Sequence, residues 1–125
     1  MNEEKSSYSY NSDFLLKNGK PWFPVMGELH YSRYPKKLWP EALAKMKAGG
    51  VTVVSSYIFW IHHEEKEGGY DFTGNRDLRG FLHAVQDAGL PVFLRIGPWC
   101  HGEVRNGGLP DWIMEKDYEP RTNDK

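Results

Sequence analysis

The chain is short of several features that would assign it to a specialised class of protein. Its 125 residues contain one cysteine, Cys100, which excludes an internal disulfide bond and any zinc site built from clustered cysteines. It has no block of basic residues, because its 16 Lys and Arg are interspersed with 17 Asp and Glu for a formal net charge of −1. No nucleic-acid partner is therefore expected, since phosphate binding depends on clustered positive charge.

Long apolar runs and a recognisable leader are also missing. No stretch approaches the roughly 18 consecutive apolar residues that a membrane-spanning helix needs, so no membrane role is expected. Residues 1–13 are polar and have no apolar segment after Lys5, which predicts a flexible N-terminal arm rather than a secretion signal. The sequence leaves the compartment open.

What is present has the composition of one ordinary globular domain, with 39% hydrophobic residues and short apolar runs that alternate with amphipathic stretches. The pattern predicts strands at residues 23–26, 51–54 and 92–96 and helices at residues 37–48 and 77–88. The pair Asn18-Gly19 predicts a type I′ hairpin turn before the first strand.

Helix-length connections between strands are expected to cross over and make those strands parallel, so the fold class is α/β. Thr73 or Asn75 is available to cap the second helix. A closed (β/α)8 TIM barrel needs on the order of 250 residues. Three strands and two helices therefore amount to an incomplete barrel, the N-terminal portion of one.

Polar and aromatic side chains follow each predicted strand. The segments are GELHYSR at 27–33, SSYIFW at 55–60 and GPWCHGEVRNGGLPDW at 97–112. Because the carboxyl ends of parallel strands open onto one cleft, we expect one site built from three loops. Aromatic rings stack on the apolar face of a sugar, and a carboxylate accepts two hydroxyl groups. The pattern is typical of a sugar site, in which Glu103 is the leading polar candidate.

Other side chains near the strand ends are expected to line this cleft: Glu28, His30, Arg33, Trp60 and Trp99. A guanidinium at Arg33 or Arg95 is suited to holding a carboxylate, either the nucleophile of a complete barrel or a partner in a structural ion pair at the barrel mouth. Glu64 is interpreted as a group that structures its own loop.

Histidines near the strand ends raise the question of a metal site. His62 and His63 are adjacent, and His30 and His101 lie on other loops. Neighbouring residues of an extended segment point to opposite sides, so His62 and His63 are poorly placed to share an ion. We expect hydrogen-bonding histidines and no metal.

Three motifs in register resemble the start of the family 35 glycoside hydrolases, the β-galactosidases. They are GELHYSR at 27–33, YIFW at 57–60 with His63-Glu64 after it, and GPW at 97–99 with Glu103 and GGLP at 107–110. The resemblance implies a (β/α)8 catalytic barrel followed by β-rich domains. It implies hydrolysis of terminal β-linked galactose with retention of configuration, a β-galactoside as the substrate, and no organic cofactor. Residues 14–125 would then be a partial catalytic domain.

Retention requires two carboxyl groups about 5 Å apart, one as acid/base and one as nucleophile. In the family these glutamates follow the fourth and seventh strands, so the resemblance implies that this chain carries neither and is inactive by itself. Its implied share is substrate binding. Tyr57 and Glu103 match family residues that contact galactose hydroxyls, whereas His101 and Gly102 replace a Cys-Ala pair whose backbone contacts are expected to survive.

Two alternatives stay open at this point. Another retaining TIM-barrel β-glycosidase, such as a β-glucosidase or mannanase, would share carboxylates and aromatic rings at its strand ends. The second alternative is that the chain is a non-catalytic remnant of such an enzyme. The replacement of an expected Trp-Asn pair by Trp60-Ile61 leaves the sugar preference undecided, and the linkage, aglycone and oligomeric state are not readable.

Overall fold

A computed structural model describes residues 6–116 and arranges their strands in two small sheets. The first sheet is antiparallel and contains β1 (Tyr8–Tyr10), β2 (Leu15–Lys17) and β3 (Lys20–Pro21). The second sheet is parallel, with β5 (Val53–Tyr57) between β4 (Met26–Glu28) and β6 (Val92–Arg95). The three-stranded parallel arrangement expected from the sequence is confirmed.

Two ten-residue helices connect the strands of the parallel sheet: α1 (Trp39–Ala48) and α3 (Leu78–Asp87). Both were predicted from periodicity. Two further helices, α2 (Trp60–His63) and α4 (Asp111–Met114), are single turns. Single 3-10 turns are formed by Tyr31–Arg33, Lys36–Leu38 and Gly74–Arg76, whereas Arg105–Gly108 is an irregular turn in which Asn106 and Gly107 have positive φ angles. Within residues 6–116, no helix combines the length and apolarity needed to cross a bilayer.

The hairpin turn forms where the sequence predicts it. Asn18 and Gly19 have φ angles of 51° and 75°, the positive values that a type I′ turn requires at both central residues. Part of the expected flexible arm joins this hairpin as β1, because the Ser7 N–H donates to Asn18 Oδ1 and the backbone of β1 pairs with β2. Residues 1–5 of the expected arm lie outside the described residues.

Two parallel strands begin later than the apolar runs that predicted them, at Met26 and Val53. The strand β5 also ends later than predicted, because it continues through Ser55 and Ser56 although both are polar. These serines are buried; Ser55 is paired with both neighbouring strands, and Ser56 is paired with Leu94 of β6. Hydrophobicity alone therefore ends the strand too early, because a central strand satisfies its polar groups by hydrogen bonding.

The main core lies between the parallel sheet and the helices α1 and α3. Its centre is aromatic: the Tyr31 ring stacks on Phe81 at 5.0 Å between centroids, and the edge of Trp39 meets both rings. The Trp39 indole N–H donates to the carbonyl oxygens of Tyr31 and Tyr34, which fixes the turn after β4. The segment that follows β4 is thus anchored by the core itself.

Helix α3 is capped by Asp77, whose carboxylate accepts a hydrogen bond from the Gly80 N–H at 2.8 Å. The expectation of a cap at Thr73 or Asn75 is wrong, because a 3-10 turn separates Thr73 from the helix and the Asn75 amide oxygen accepts from the Lys36 N–H instead. The Lys36 ammonium, 2.6 Å from the carboxylate, and the Gly80 N–H lower the pKa of Asp77.

Replacing Phe81 by alanine tests this core. Phe81 is 0% exposed and packs against Tyr31 and Trp39, so its truncation is expected to lower the free energy of unfolding by about 3–5 kcal/mol. The control is Phe23→Ala, at a side chain that is 88% exposed, which should change that free energy by less than about 0.5 kcal/mol. Urea unfolding measures both, and equal losses would contradict this description of the core.

Candidate functional site

Tyr57 lies at the carboxyl end of β5 and is held from several directions. Its side chain is 6% exposed, and the guanidinium carbon of Arg95 lies 3.6 Å from the centroid of its ring. The Tyr57 hydroxyl accepts a hydrogen bond from the His101 N–H at 3.2 Å, and its backbone N–H donates to His30 Nδ1 at 3.3 Å. One tyrosine therefore connects all three strand-end segments that the sequence predicted to converge.

Glu28, His30 and Arg95 form a charged cluster beside this tyrosine. The Arg95 guanidinium is ion-paired with the Glu28 carboxylate, and His30 Nε2 lies 3.4 Å from the other oxygen of Glu28. The register explains the meeting, because Glu28 pairs with Ser55 on one side of β5 and Arg95 pairs with Tyr57 on the other. Arg95 thus has the structural ion pair that was one of its two expected roles.

The hydrogen bonds fix the state of the His30 ring. Burial is the main cause that lowers the pKa of His30; the Glu28 carboxylate opposes this effect, and Arg95 and Arg33 reinforce it. A neutral imidazole that accepts from Tyr57 at Nδ1 must carry its proton on Nε2. The same nitrogen lies 3.4 Å from Glu28, so the ring contacts both the Tyr57 backbone and the carboxylate.

The loop after β6 depends on its glycine pair. Gly107 and Gly108 have φ angles of 62° and 89°, which residues with a Cβ atom rarely adopt. A Cβ atom at Gly107 would lie 2.6 Å from the ring of Trp99, so this tryptophan, expected to line the cleft, packs over the loop backbone. The Cys100 N–H donates to the Gly107 carbonyl at 2.7 Å, and burial raises the pKa of the Cys100 thiol.

Arg33 joins the first and third strand-end segments. Its Nη1 donates to the Gly102 carbonyl at 2.9 Å and its Nη2 to the Glu103 carbonyl at 3.1 Å. Within residues 6–116 Arg33 makes no ion pair with a carboxylate, because these two donors are bonded to peptide oxygens, and its support of a nucleophile in the complete barrel stays a prediction. Gly102 lies near the Tyr57 ring, since a Cβ atom built on it would be 3.7 Å from Tyr57 Cδ2.

Glu103 is exposed and has a φ angle of 35°, a left-handed backbone that is uncommon for residues other than glycine. It borders a polar cavity of about 280 Å³ together with Arg33, His62 and Arg76. Arg76 is paired across the cavity wall with Asp71 at 2.5 Å and with Glu65 at 3.5 Å. The cavity therefore offers both donors and acceptors, as a site for hydroxyl groups requires.

Glu64 is buried and structures its loop, which confirms the interpretation of its role. Its carboxylate accepts from the Trp60 indole N–H at 2.5 Å and from the Gly68 N–H at 2.8 Å, and both bonds lower its pKa. The Glu64 carbonyl accepts from the Trp112 indole N–H at 3.0 Å. Trp60, expected to line the cleft, borders a separate apolar cavity of about 360 Å³ with Ile58 and Phe72.

Adjacent histidines have different partners. His63 Nε2 lies 2.5 Å from the Tyr31 hydroxyl and His63 Nδ1 lies 2.9 Å from the Asp71 carbonyl, so Nδ1 must be the donor to that carbonyl. His62 Nδ1 instead bonds to the Ser32 hydroxyl at 2.7 Å. In the described part of the chain, no three His, Cys, Asp or Glu residues are grouped as a metal ion would require.

Comparison with known proteins settles the family. The family model described as "Glycosyl hydrolases family 35" matches residues 14–125, most of the chain. The chain belongs to glycosyl hydrolase family 35. The resemblance that the three sequence motifs indicated is confirmed.

Curated relatives agree with the family 35 assignment. "Beta-galactosidase" of Mus musculus is 40% identical over 107 residues, 86% of this chain, and that of Homo sapiens is 40% identical over 108 residues, also 86%. "Beta-galactosidase 14" of Arabidopsis thaliana is 37% identical over 124 residues, 98% of this chain. The chain spans only 16% of the length of the first two relatives and 14% of the third.

The lowered pKa of His30 predicts a pH dependence of stability. Below its ordinary pKa of 6.5, the unfolded chain takes up a proton on His30 before the folded chain does. The free energy of unfolding should therefore fall as the pH drops below about 6.5. His30→Asn, which keeps an acceptor for the Tyr57 N–H but does not titrate, should reduce this slope in urea unfolding, and the remainder should include His62, whose pKa is also lowered by burial. An unchanged slope would contradict the assignment.

Proposed function

We propose that this chain forms the beginning of the (β/α)8 catalytic domain of a retaining exo-β-galactosidase and supplies part of its galactose pocket. The family assignment and the names of the relatives support this proposal. The observation that carries it is Tyr57, at the end of the central parallel strand, hydrogen-bonded through its hydroxyl to the loop that bears Glu103.

The pocket chemistry follows from two groups. Because the Tyr57 hydroxyl accepts from the His101 N–H, its own proton is available to a sugar hydroxyl. Glu103 extends a carboxylate from an exposed loop and can accept two hydroxyl groups, and such charge-assisted bonds are the strong ones. The backbone at His101 and Gly102, which adjoins the Tyr57 ring, would complete this wall of the pocket.

The bond-breaking groups are proposed to come from outside these 125 residues. A retaining glycosidase needs an acid/base and a nucleophile about 5 Å apart. Two carboxylates of this chain near the strand ends have structural engagements instead: Glu28 is ion-paired with Arg95, and Glu64 is buried and bonded to Trp60. We therefore expect no hydrolysis by this chain alone.

The test compares this chain with a version extended through the continuing reading frame, each assayed on a chromogenic β-galactoside and the matching β-glucoside. Only the extended protein should cleave, and it should prefer the galactoside. Cleavage by the short chain, or a preference for the glucoside, would overturn the proposal and favour another β-glycosidase. An extended protein inactive on both substrates would favour a non-catalytic remnant.

Two substitutions in the extended protein test the pocket residues. Tyr57→Phe and Glu103→Gln should each lower kcat/KM on the galactoside roughly 10- to 100-fold. The first removes a hydrogen bond in a buried pocket, and the second removes the charge of a hydrogen-bond acceptor. Matched controls are Tyr10→Phe, at an 81% exposed side chain, and Glu115→Gln, also exposed. The roles fail if each variant behaves like its control.

A further inference from the structure

We propose that Arg33 is a positioning residue for Glu103, which it holds by the peptide backbone so that the carboxylate stays available to substrate. The proposal rests on the proposed function of Glu103. It goes beyond that function because Arg33 acts on the conformation of another residue, through contacts that a sequence motif does not reveal.

The first support is the geometry of the clamp. Two N–H groups of one planar guanidinium reach two consecutive carbonyl oxygens, those of Gly102 and Glu103, at 2.9 and 3.1 Å. A guanidinium presents such donors in a rigid fork, whereas a lysine ammonium is a point charge. The guanidinium carbon also lies 5.3 Å from the ring centroid of buried Phe59, and this contact restrains the fork.

The second support is the backbone that the clamp restrains. Glu103 has a φ angle of 35°, and a residue with a side chain keeps such a conformation only where its surroundings enforce it. The enforcement is applied from both sides: the His101 N–H is bound by the Tyr57 hydroxyl, and the carbonyls of Gly102 and Glu103 are bound by Arg33. The direction of the Glu103 side chain is therefore set through its main chain.

The third support is that Arg33 and Glu103 lie side by side but do not bond to each other through their side chains. Arg33 and Glu103 border the same polar cavity, yet Arg33 donates to peptide oxygens rather than to the Glu103 carboxylate. Within residues 6–116 that carboxylate makes no hydrogen bond or ion pair. An arginine that bound the carboxylate itself would compete with sugar hydroxyls, whereas this arrangement orients the acceptor and leaves it available.

The conformational arm of the test uses the chain as it stands. In 15N-labelled protein, Glu103 should give the strong intraresidue cross-peak between its amide and α protons that a left-handed backbone produces. Arg33→Ala should abolish this cross-peak, Arg33→Lys should weaken it, and exposed Arg79→Ala should preserve it. Arg33→Lys keeps the charge, so it decides the matter if the alanine variant fails to fold. An unchanged cross-peak in a folded Arg33 variant would overturn the proposal.

The kinetic arm uses the extended protein and the chromogenic β-galactoside. Arg33→Ala should lower kcat/KM by about 10- to 100-fold, chiefly through KM, because a displaced binding group costs affinity. In a Glu103→Gln background the same change should cost less than about 2-fold more, since both substitutions remove one interaction. A general structural role would instead multiply the two losses and would overturn the proposal.

The two arms separate this inference from the proposed function. If the unaltered extended protein cleaves no galactoside, the proposed function fails while the cross-peak still decides whether Arg33 sets the Glu103 backbone. If the protein is active but the Arg33 variants match Arg79→Ala, the positioning role fails and the proposed function stands.

Discussion

The parallel pairing of β5 with both β4 and β6 is the constraint on which the rest of this structure depends. All five residues of β5 are buried, and its backbone groups are shared between two neighbours. Because the three strands run in one direction, their carboxyl ends open on the same edge of the sheet. The register brings Glu28, Tyr57 and Arg95 to that edge, although they are far apart in the sequence.

Local hydrogen bonds then convert this edge into a defined site. The neutral tautomer of His30 joins the Tyr57 backbone to Glu28, the Tyr57 hydroxyl holds the loop at His101, and Arg33 holds the same loop two residues later. These contacts cross between elements, so loss of any one strand would remove partners from the others. The exposed carboxylate of Glu103 is consequently carried by a loop that is fastened at several points.

The sequence predicted the elements whose signal is local. The helices α1 and α3 follow from apolar periodicity, and the Asn18-Gly19 turn follows from the φ angles that those residues tolerate. The C-terminal limit of β5 was missed because buried serines interrupt the apolar run while the hydrogen-bonded sheet continues. The capping role of Asp77 was missed because a 3-10 turn intervenes after Thr73.

The site was predictable as a set of converging loops but not as a set of contacts. The motifs identified Tyr57 and Glu103 by resemblance, and their binding of sugar stays a prediction. The partners of Arg33 could not be predicted, because a guanidinium aimed at peptide oxygens 69 and 70 residues away leaves no signal in side-chain chemistry. The Tyr31–His63 hydrogen bond, which separates the functions of adjacent histidines, likewise depends on the folded core.

A crystal structure of the extended protein with galactose tests the central claim most directly, which is that the β5 edge and the loop of Glu103 form the sugar pocket. We expect sugar hydroxyl groups within about 2.6–3.2 Å of the Tyr57 hydroxyl and the Glu103 carboxylate. We also expect Arg33 to remain bound to the Gly102 and Glu103 carbonyls. Galactose bound away from Tyr57, or a Glu103 carboxylate paired to a protein group in the complex, would contradict it.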